Sequence, residues 1–308
     1  MLPFALINLI MSFVLIALVS GNNLPVCSGS IIAAKIVNRK TGILLTVFGY
    51  VIGLVLQGSL LRYGLNAILP VNETALPSVA LFIAMIIFLI AHKWRVPQSL
   101  SITFSMAILG ISMAYTESIN WTFVGFMLGL WIFATGAALV TTFVSMKMLP
   151  LLMYKRRVWR VVGAIKPMLI VTSFLAAFTL GANTIGFVST AVNGGVYTIP
   201  VFILAIIVGS VFLSRGELKR IGHEILPLRY ANALVSQFVS VILVELATLF
   251  GVPLSNTQTF TMGLYGVGLG YKTRLIRTRP AMTIFLTWTV TAIVSLILGY
   301  VMTKTLIL

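Results

Sequence analysis

Charge is what this 308-residue sequence has least of: 8% of its residues are Asp, Glu, Lys or Arg, against 59% hydrophobic ones. A water-soluble domain of this length could not carry that ratio without exposing large apolar patches, so lipid is the main solvent. Aspartate is absent altogether, and the five acidic residues are Glu73, Glu117, Glu217, Glu224 and Glu245. The single cysteine, Cys27, excludes an intrachain disulfide and a Cys-x-x-Cys pair. No His/Cys/Asp constellation or metal-ligand spacing falls within the apolar stretches, which argues against an enzyme, a cofactor or a metal centre. The opening run Leu2 to Val19 lacks the basic n-region of a cleaved signal peptide.

What is abundant is apolar sequence in windows of about 20 residues, the length that crosses a hydrocarbon core roughly 30 Å thick. The net charge of +16 would suggest nucleic acid in a soluble protein, but the basic residues cluster at the borders of apolar spans and report topology instead.

Self-comparison reveals a repeat. Val96-Pro97-Gln98-Ser99-Leu100-Ser101-Ile102-Thr103-Phe104-Ser105-Met106 recurs as Val252-Pro253-Leu254-Ser255-Asn256-Thr257-Gln258-Thr259-Phe260-Thr261-Met262, in register through Gly110/Gly266 and Tyr115/Tyr271. A weaker pair, Ser20-Gly21-Asn22-Asn23 and Gly181-Ala182-Asn183-Thr184, lies upstream of each copy. The expected halves are 1–155 and 156–308, joined by a cytoplasmic linker at about 147–166. Thr116, Glu117 and Ser118 follow the first serine segment, whereas Lys272, Arg274, Arg277 and Arg279 follow the second. The upstream pair shows the opposite bias: Lys35, Arg39 and Lys40 follow the first copy and the neutral Asn193-Gly194-Gly195 the second. Matched positions therefore lie on opposite sides, and the halves are inverted about the membrane plane.

A path with ten net crossings follows, at about 3–34, 42–61, 76–91, 97–115, 120–146, 165–192, 197–213, 230–250, 253–271 and 281–303. On it every Lys and Arg except Arg62 and Lys304 is cytoplasmic, and both termini lie outside. The expected fold is all-α: a multi-pass protein of the cell membrane, with 10–12 transmembrane segments. Breaks at the Gly-Asn motifs would divide the long first and sixth segments into a span and a half-helix.

Interruptions by Gly, Asn, Ser and Pro free backbone groups that lipid cannot satisfy, so they line protein-enclosed or watery space. At Gly21-Asn22-Asn23-Leu24-Pro25, and again at Pro97 and Pro253, the sequence suits a helix start, giving four expected helix N-termini. Such termini carry free N–H donors and partial positive charge, which suits an oxyanion like phosphate or sulfate. Ser99, Ser101, Ser255, Asn256, Thr257 and Gln258 add neutral donors. The same residue types also satisfy backbone at breaks or join helices.

These motifs resemble those of the inorganic phosphate transporter (PiT) family, which includes sulfate permeases. The family's Gly-Ala-Asn-Asp motif resembles Ser20-Gly21-Asn22-Asn23 and Gly181-Ala182-Asn183-Thr184. Its Pro-Val-Ser-Thr-Thr-His motif resembles Pro97 to Ile102 and Pro253 to Gln258. The resemblance implies an inverted-repeat transporter, often a homodimer, that moves phosphate with Na⁺ or H⁺. The family's aspartates fall at Asn23 and Thr184, a membrane-embedded glutamate at Gln237, and the motif histidine at Gln258.

The expected function is secondary active transport of a small inorganic anion, with phosphate first. A sulfate permease and an anion channel are the alternatives. The anion would sit among Asn22, Asn23, Asn183, Thr184 and the two serine segments, and Na⁺ would bind, if at all, near those four residues. Glu245, the one carboxylate inside an expected span, is the candidate for proton coupling, with Gln237 beside it as a coupling position. His92, His223 and the Lys155-to-Arg160 cluster read as solvated or lipid-facing, 215–229 as an interfacial helix, and Asn72-Glu73-Thr74 as an outer-side glycosylation sequon. Ser99, four residues from Arg95, lies either on a tip that dips into the membrane or in a vestibule.

Overall fold

A computed structural model describes residues 2–69, 76–94, 98–115, 119–153, 158–193, 195, 197–214, 230–271 and 278–306. Among these residues every regular element is helical. The helices are α1 (Leu2–Ala33), α2 (Arg39–Gln57), α3 (Arg62–Ile68), α4 (Leu76–Trp94), α5 (Leu100–Tyr115) and α6 (Trp121–Met153). They continue with α7 (Val158–Leu180), α8 (Gly186–Ala191), α9 (Ile199–Val208), α10 (Tyr230–Leu249), α11 (Asn256–Tyr271) and α12 (Thr278–Leu306). A 3₁₀ turn, Gly58–Leu61, joins α2 to α3, while π-helical turns at Gly181–Ile185 and Gly209–Leu213 follow α7 and α9.

Seven described helical stretches are long and apolar enough to cross a membrane. The chain is a multi-pass integral membrane protein, and each of the ten expected crossings coincides with helix. Large apolar side chains such as Leu44, Phe48, Ile132 and Phe133 face outward, as lipid rather than water requires. The sequon at 72–74, the 215–229 segment, His223, Arg95 and Lys272 to Arg277 lie outside the described residues. The expected linker is largely helical on either side of residues 154–157, because α6 runs to Met153 and α7 begins at Val158.

The expected breaks at the Gly-Asn motifs are not there. α1 runs unbroken through Gly21, Asn22, Asn23 and Pro25, and the second motif forms the π turn between α7 and α8 with right-handed helical backbone on both sides. Two helix N-termini are thus available near the motifs, those of α5 and α11, rather than four. Membrane helices tolerate an internal proline when neighbours supply partners for the loosened backbone. Pro25 leaves the Gly21 carbonyl without its helical donor, and the Gln237 side-chain amide braces the turn just after the proline by donating to the carbonyls of Val26 and Cys27. Gly21 itself faces the Gly209 carbonyl and Leu213, where an added methyl would clash. Its small size serves packing between helices, not helix termination.

Pairing between elements is reciprocal. α5 lies along α12 and α11 along α6; α1 packs on α9 and its π turn, and α7 on α2. Matched glycines permit the first two contacts: a Cβ at Gly110 would strike the Leu296 carbonyl, and one at Gly266 the Leu139 carbonyl. α5 and α11 have 16 residues each, about 24 Å of helix, and so fall short of a bilayer core. Glycine ends the helix before α11. Gly251 (φ +69°) takes the left-handed C′ position of a Schellman motif, with Val252 N–H donating to the Ala247 carbonyl at 2.8 Å and Gly251 N–H to that of Thr248 at 2.9 Å. Pro253 follows and cannot resume the helix. Chain direction therefore changes inside the protein, and residues 252–255 become a buried non-helical stretch.

Candidate functional site

The head of each short helix is capped by its own serine. Ser99 Oγ accepts from Ile102 N–H at 3.3 Å, and Ser255 Oγ from Gln258 N–H at 3.2 Å. The two heads meet, since Ser101 Oγ donates to the Leu254 carbonyl at 3.2 Å. Ser99 and Ser101 are buried, which puts the start of α5 inside the protein.

Asn183 ties the second Gly-Asn motif to the same place. Its Nδ2 donates to Thr248 Oγ1 at 2.9 Å and to the Val252 carbonyl at 3.0 Å, while its Oδ1 accepts from Leu254 N–H at 2.9 Å. The π turn at 181–185 carries this side chain, and Gly181 allows the turn to press against the Tyr50 carbonyl. From the first motif, Asn23 Oδ1 accepts from Thr257 Oγ1 at 3.0 Å. Asn256 Oδ1 accepts from Ser240 Oγ at 2.7 Å. Trp131 Nε1 donates to the Pro253 carbonyl at 2.8 Å and fastens the stretch before α11 to α6.

Of the residues expected at the site, Asn23, Asn183, Ser101 and Thr257 are brought together by these contacts. Ser99, Ser255, Asn256 and Gln258 lie in the same two helix heads. Thr184 is buried beside Asn183 on the π turn, and Asn22 is partly covered on α1. Every one of these groups is uncharged. The arrangement offers two capped helix N-termini, amide and hydroxyl donors, and side-chain carbonyl oxygens. That set can hold an oxyanion through N–H and O–H donors and a small cation through oxygen.

Gln237 is fully engaged. Besides the Val26 and Cys27 carbonyls, its Oε1 accepts from Thr172 Oγ1 at 3.2 Å and Ser173 Oγ at 3.4 Å, so it cross-links α10, α1 and α7. Glu245 is half-buried on α10, one turn before Thr248, and its Oε1 accepts from Gln57 Nε2 at 2.7 Å. Glu245 Oε2 and Gln57 Oε1 are both buried without a partner.

Sequence reasoning passed over Gln98, Gln57 and Thr248. Gln98 stands inside the first serine segment, next to Ser99, and its amide was not counted among the donors there. Gln57 is an amide inside an apolar span, a signal that was present and unused.

The family model described as the phosphate transporter family matches residues 153–299. A protein of Methanocaldococcus jannaschii, provisionally named a phosphate permease, is 24% identical over 97% of this chain and 96% of its own length. The solved structure titled "The sodium-dependent phosphate transporter" superimposes with a TM-score of 0.88 at 16% identity, covering 99% of this chain and all of that one.

The match to the phosphate transporter family thus covers the second half of the chain. The structural likeness establishes a shared fold along essentially the whole chain. Asn23, Thr184 and Gln237 are uncharged here, and Asn23 and Gln237 are bonded to neighbouring elements.

Proposed function

We propose that this protein is a secondary active transporter of inorganic phosphate that works by alternating access between two inverted halves. One observation carries the reading: the heads of α5 and α11, each a capped N-terminus, meet at Ser101 and Leu254 between the Asn23 and Asn183 motifs. Two positively poled helix ends converging in a buried, uncharged, donor-rich place favour an anion that is held and then released. The reciprocal pairing of α5 with α12 and α11 with α6 supports a two-fold relation, and the reversed flanking charge supports inversion. The names of the relatives favour phosphate.

Coupling is assigned to Glu245 with Gln57, whose two unpartnered oxygens give a proton a place between α10 and α2. Na⁺ is the alternative, held by neutral oxygens near Asn22, Asn23, Asn183 and Thr184. The protein is expected to act as a homodimer embedded in lipid.

Uptake of radiolabelled phosphate into proteoliposomes, with Na⁺, pH and voltage gradients imposed separately, tests the proposal. Accumulation above the external concentration, driven by one of these gradients, is the expected result. Simple equilibration would make the protein a channel, and concentrative uptake of sulfate alone would make it a sulfate permease.

A further inference from the structure

Resting on the oxyanion-transport reading, we propose that the side-chain carbonyls of Gln98 and Gln258 are specificity determinants that select a proton-bearing oxyanion and reject a fully deprotonated one. Both glutamines sit at the heads of the short helices, Gln98 just before α5 and Gln258 in the first turn of α11. Their exposures are 1% and 8%, and in each the Oε1 atom is buried without a partner. A buried amide oxygen left unbonded costs about 1–3 kcal/mol, so two such oxygens, one at each of the helix heads that meet at Ser101 and Leu254, call for a donor from elsewhere.

The orientation of Gln98 is fixed by its surroundings. Thr103 has one hydroxyl proton, which it donates to the Ser99 carbonyl at 2.8 Å, so its oxygen can only accept from Gln98 Nε2. The Gln98 carbonyl is left over. Gln258 stands three residues after the capping serine, in a Ser-x-x-Gln arrangement whose glutamine ordinarily turns back to accept from the N-cap N–H. Here that return bond is not made, and the oxygen stays available. Buried hydroxyls without partners, such as Ser105 and Ser236, differ in kind, because rotation can aim their proton at a backbone carbonyl one turn away. A carbonyl has no proton to redirect.

An anion held by helix N-termini and hydroxyl donors has no use for an acceptor unless the anion itself carries O–H. Phosphate and arsenate at neutral pH carry one or two protons; sulfate carries none. A carbonyl lone pair facing the bound anion therefore accepts from P–O–H and repels a bare sulfate oxygen. Sites built around a substrate hydroxyl reject analogues that lack it, because the protein's polar atom is left unpaired. Each glutamine contributes about a 10-fold preference on the scale of one hydrogen bond.

The test is competition against radiolabelled phosphate uptake by full-length protein in proteoliposomes at neutral pH. Arsenate, sulfate and monofluorophosphate are the competitors; the last has the shape and charge of hydrogen phosphate, with fluorine in place of the hydroxyl and no proton. Arsenate is expected to compete comparably to phosphate, and sulfate and monofluorophosphate about 100-fold less well, as two such preferences combine. Gln98→Met and Gln258→Met should each lower the phosphate-over-sulfate ratio about 10-fold, whereas Gln98→Glu and Gln258→Glu, which keep an acceptor, should preserve it. The ratio is independent of how much protein inserts, and the wild-type monofluorophosphate result decides the matter if the variants do not fold. Competition by monofluorophosphate within a few-fold of phosphate would overturn the inference. So would an unchanged ratio in the methionine variants, or a change confined to their Na⁺ dependence, which would assign these oxygens to a cation. Phosphate uptake without discrimination would leave the transport reading standing, while no concentrative uptake of any oxyanion by the wild type would remove both.

Discussion

Replacing Asn183 by alanine should cost this protein much more stability than the same change at its motif counterpart, Asn22. Asn183 is fully buried, and its amide engages Thr248 Oγ1, the Val252 carbonyl and Leu254 N–H. Thr248 keeps its own bond to the Val244 carbonyl at 2.8 Å, so it loses only an incoming donor. The Val252 carbonyl and Leu254 N–H, both on fully buried residues, lose the Asn183 partner. At about 1–3 kcal/mol for each abandoned buried group, the sum is about 2–6 kcal/mol. Measured polar contacts inside membrane proteins average about 0.6 kcal/mol, which favours the lower end, about 2 kcal/mol. Asn22 is partly covered and its truncation should cost under about 0.5 kcal/mol. Asn183→Asp, which keeps the acceptor for Leu254 but turns a carboxylate oxygen toward the Val252 carbonyl, should cost at least as much as the alanine change. Reversible unfolding in mixed micelles, followed by tryptophan fluorescence, measures all three. An Asn183→Ala variant within about 0.5 kcal/mol of wild type, or an Asn22→Ala variant equally damaged, would refute the idea that the π turn clasps the stretch before α11.

Glu245→Gln should abolish pH-dependent uptake while preserving phosphate binding, and Gln57→Leu should shift the same pH profile; a profile unmoved by either change removes the pair from coupling. Gly53→Ala would place a methyl against the Phe178 carbonyl and force α2 away from α7, so monodisperse yield in detergent should collapse, whereas Gly125→Ala, with nothing within 4 Å, should match wild type. Gln237→Glu would turn a carboxylate toward the Val26 and Cys27 carbonyls, an arrangement that needs a cation or a proton between the oxygens. Thermal unfolding of that variant should become Na⁺-dependent, with choline as the control cation, and an identical midpoint in both salts would count against it.

Helix positions were legible in the sequence because lipid imposes one requirement on every span, and length with hydropathy expresses it directly. The meeting of the serine segments was half legible: the repeat marked both, but the contact between Ser101 and Leu254 spans 153 residues and no local pattern announces it. Gly-Asn and Gly-x-x-x-Pro were misread as breaks because glycine and proline signal two different things in membrane helices. One is a chain turn; the other is a place where a neighbouring backbone comes close. Gly21 belongs to the second kind, and only the position of Gly209 and Leu213 distinguishes them. At Gly251 the same residue type does mark a turn, since the chain there is left-handed and followed by Pro253. Gln57 and Glu245 stand 188 residues apart in a chain with few charges, so their pairing could not be read from spacing.

The reciprocal pairing of α5 with α12 and α11 with α6 has a consequence for how the chain is made. α5 finds the surface that fits Gly110 on α12, a helix made long after it, so the earlier spans emerge before that groove has its partner. That pairing closes only when α12 arrives. A nascent chain halted after Tyr271 would have α11 within reach of α6 yet leave α5 without its neighbour, so the two halves of this reciprocal pairing close at different times, the second only with the 29-residue α12.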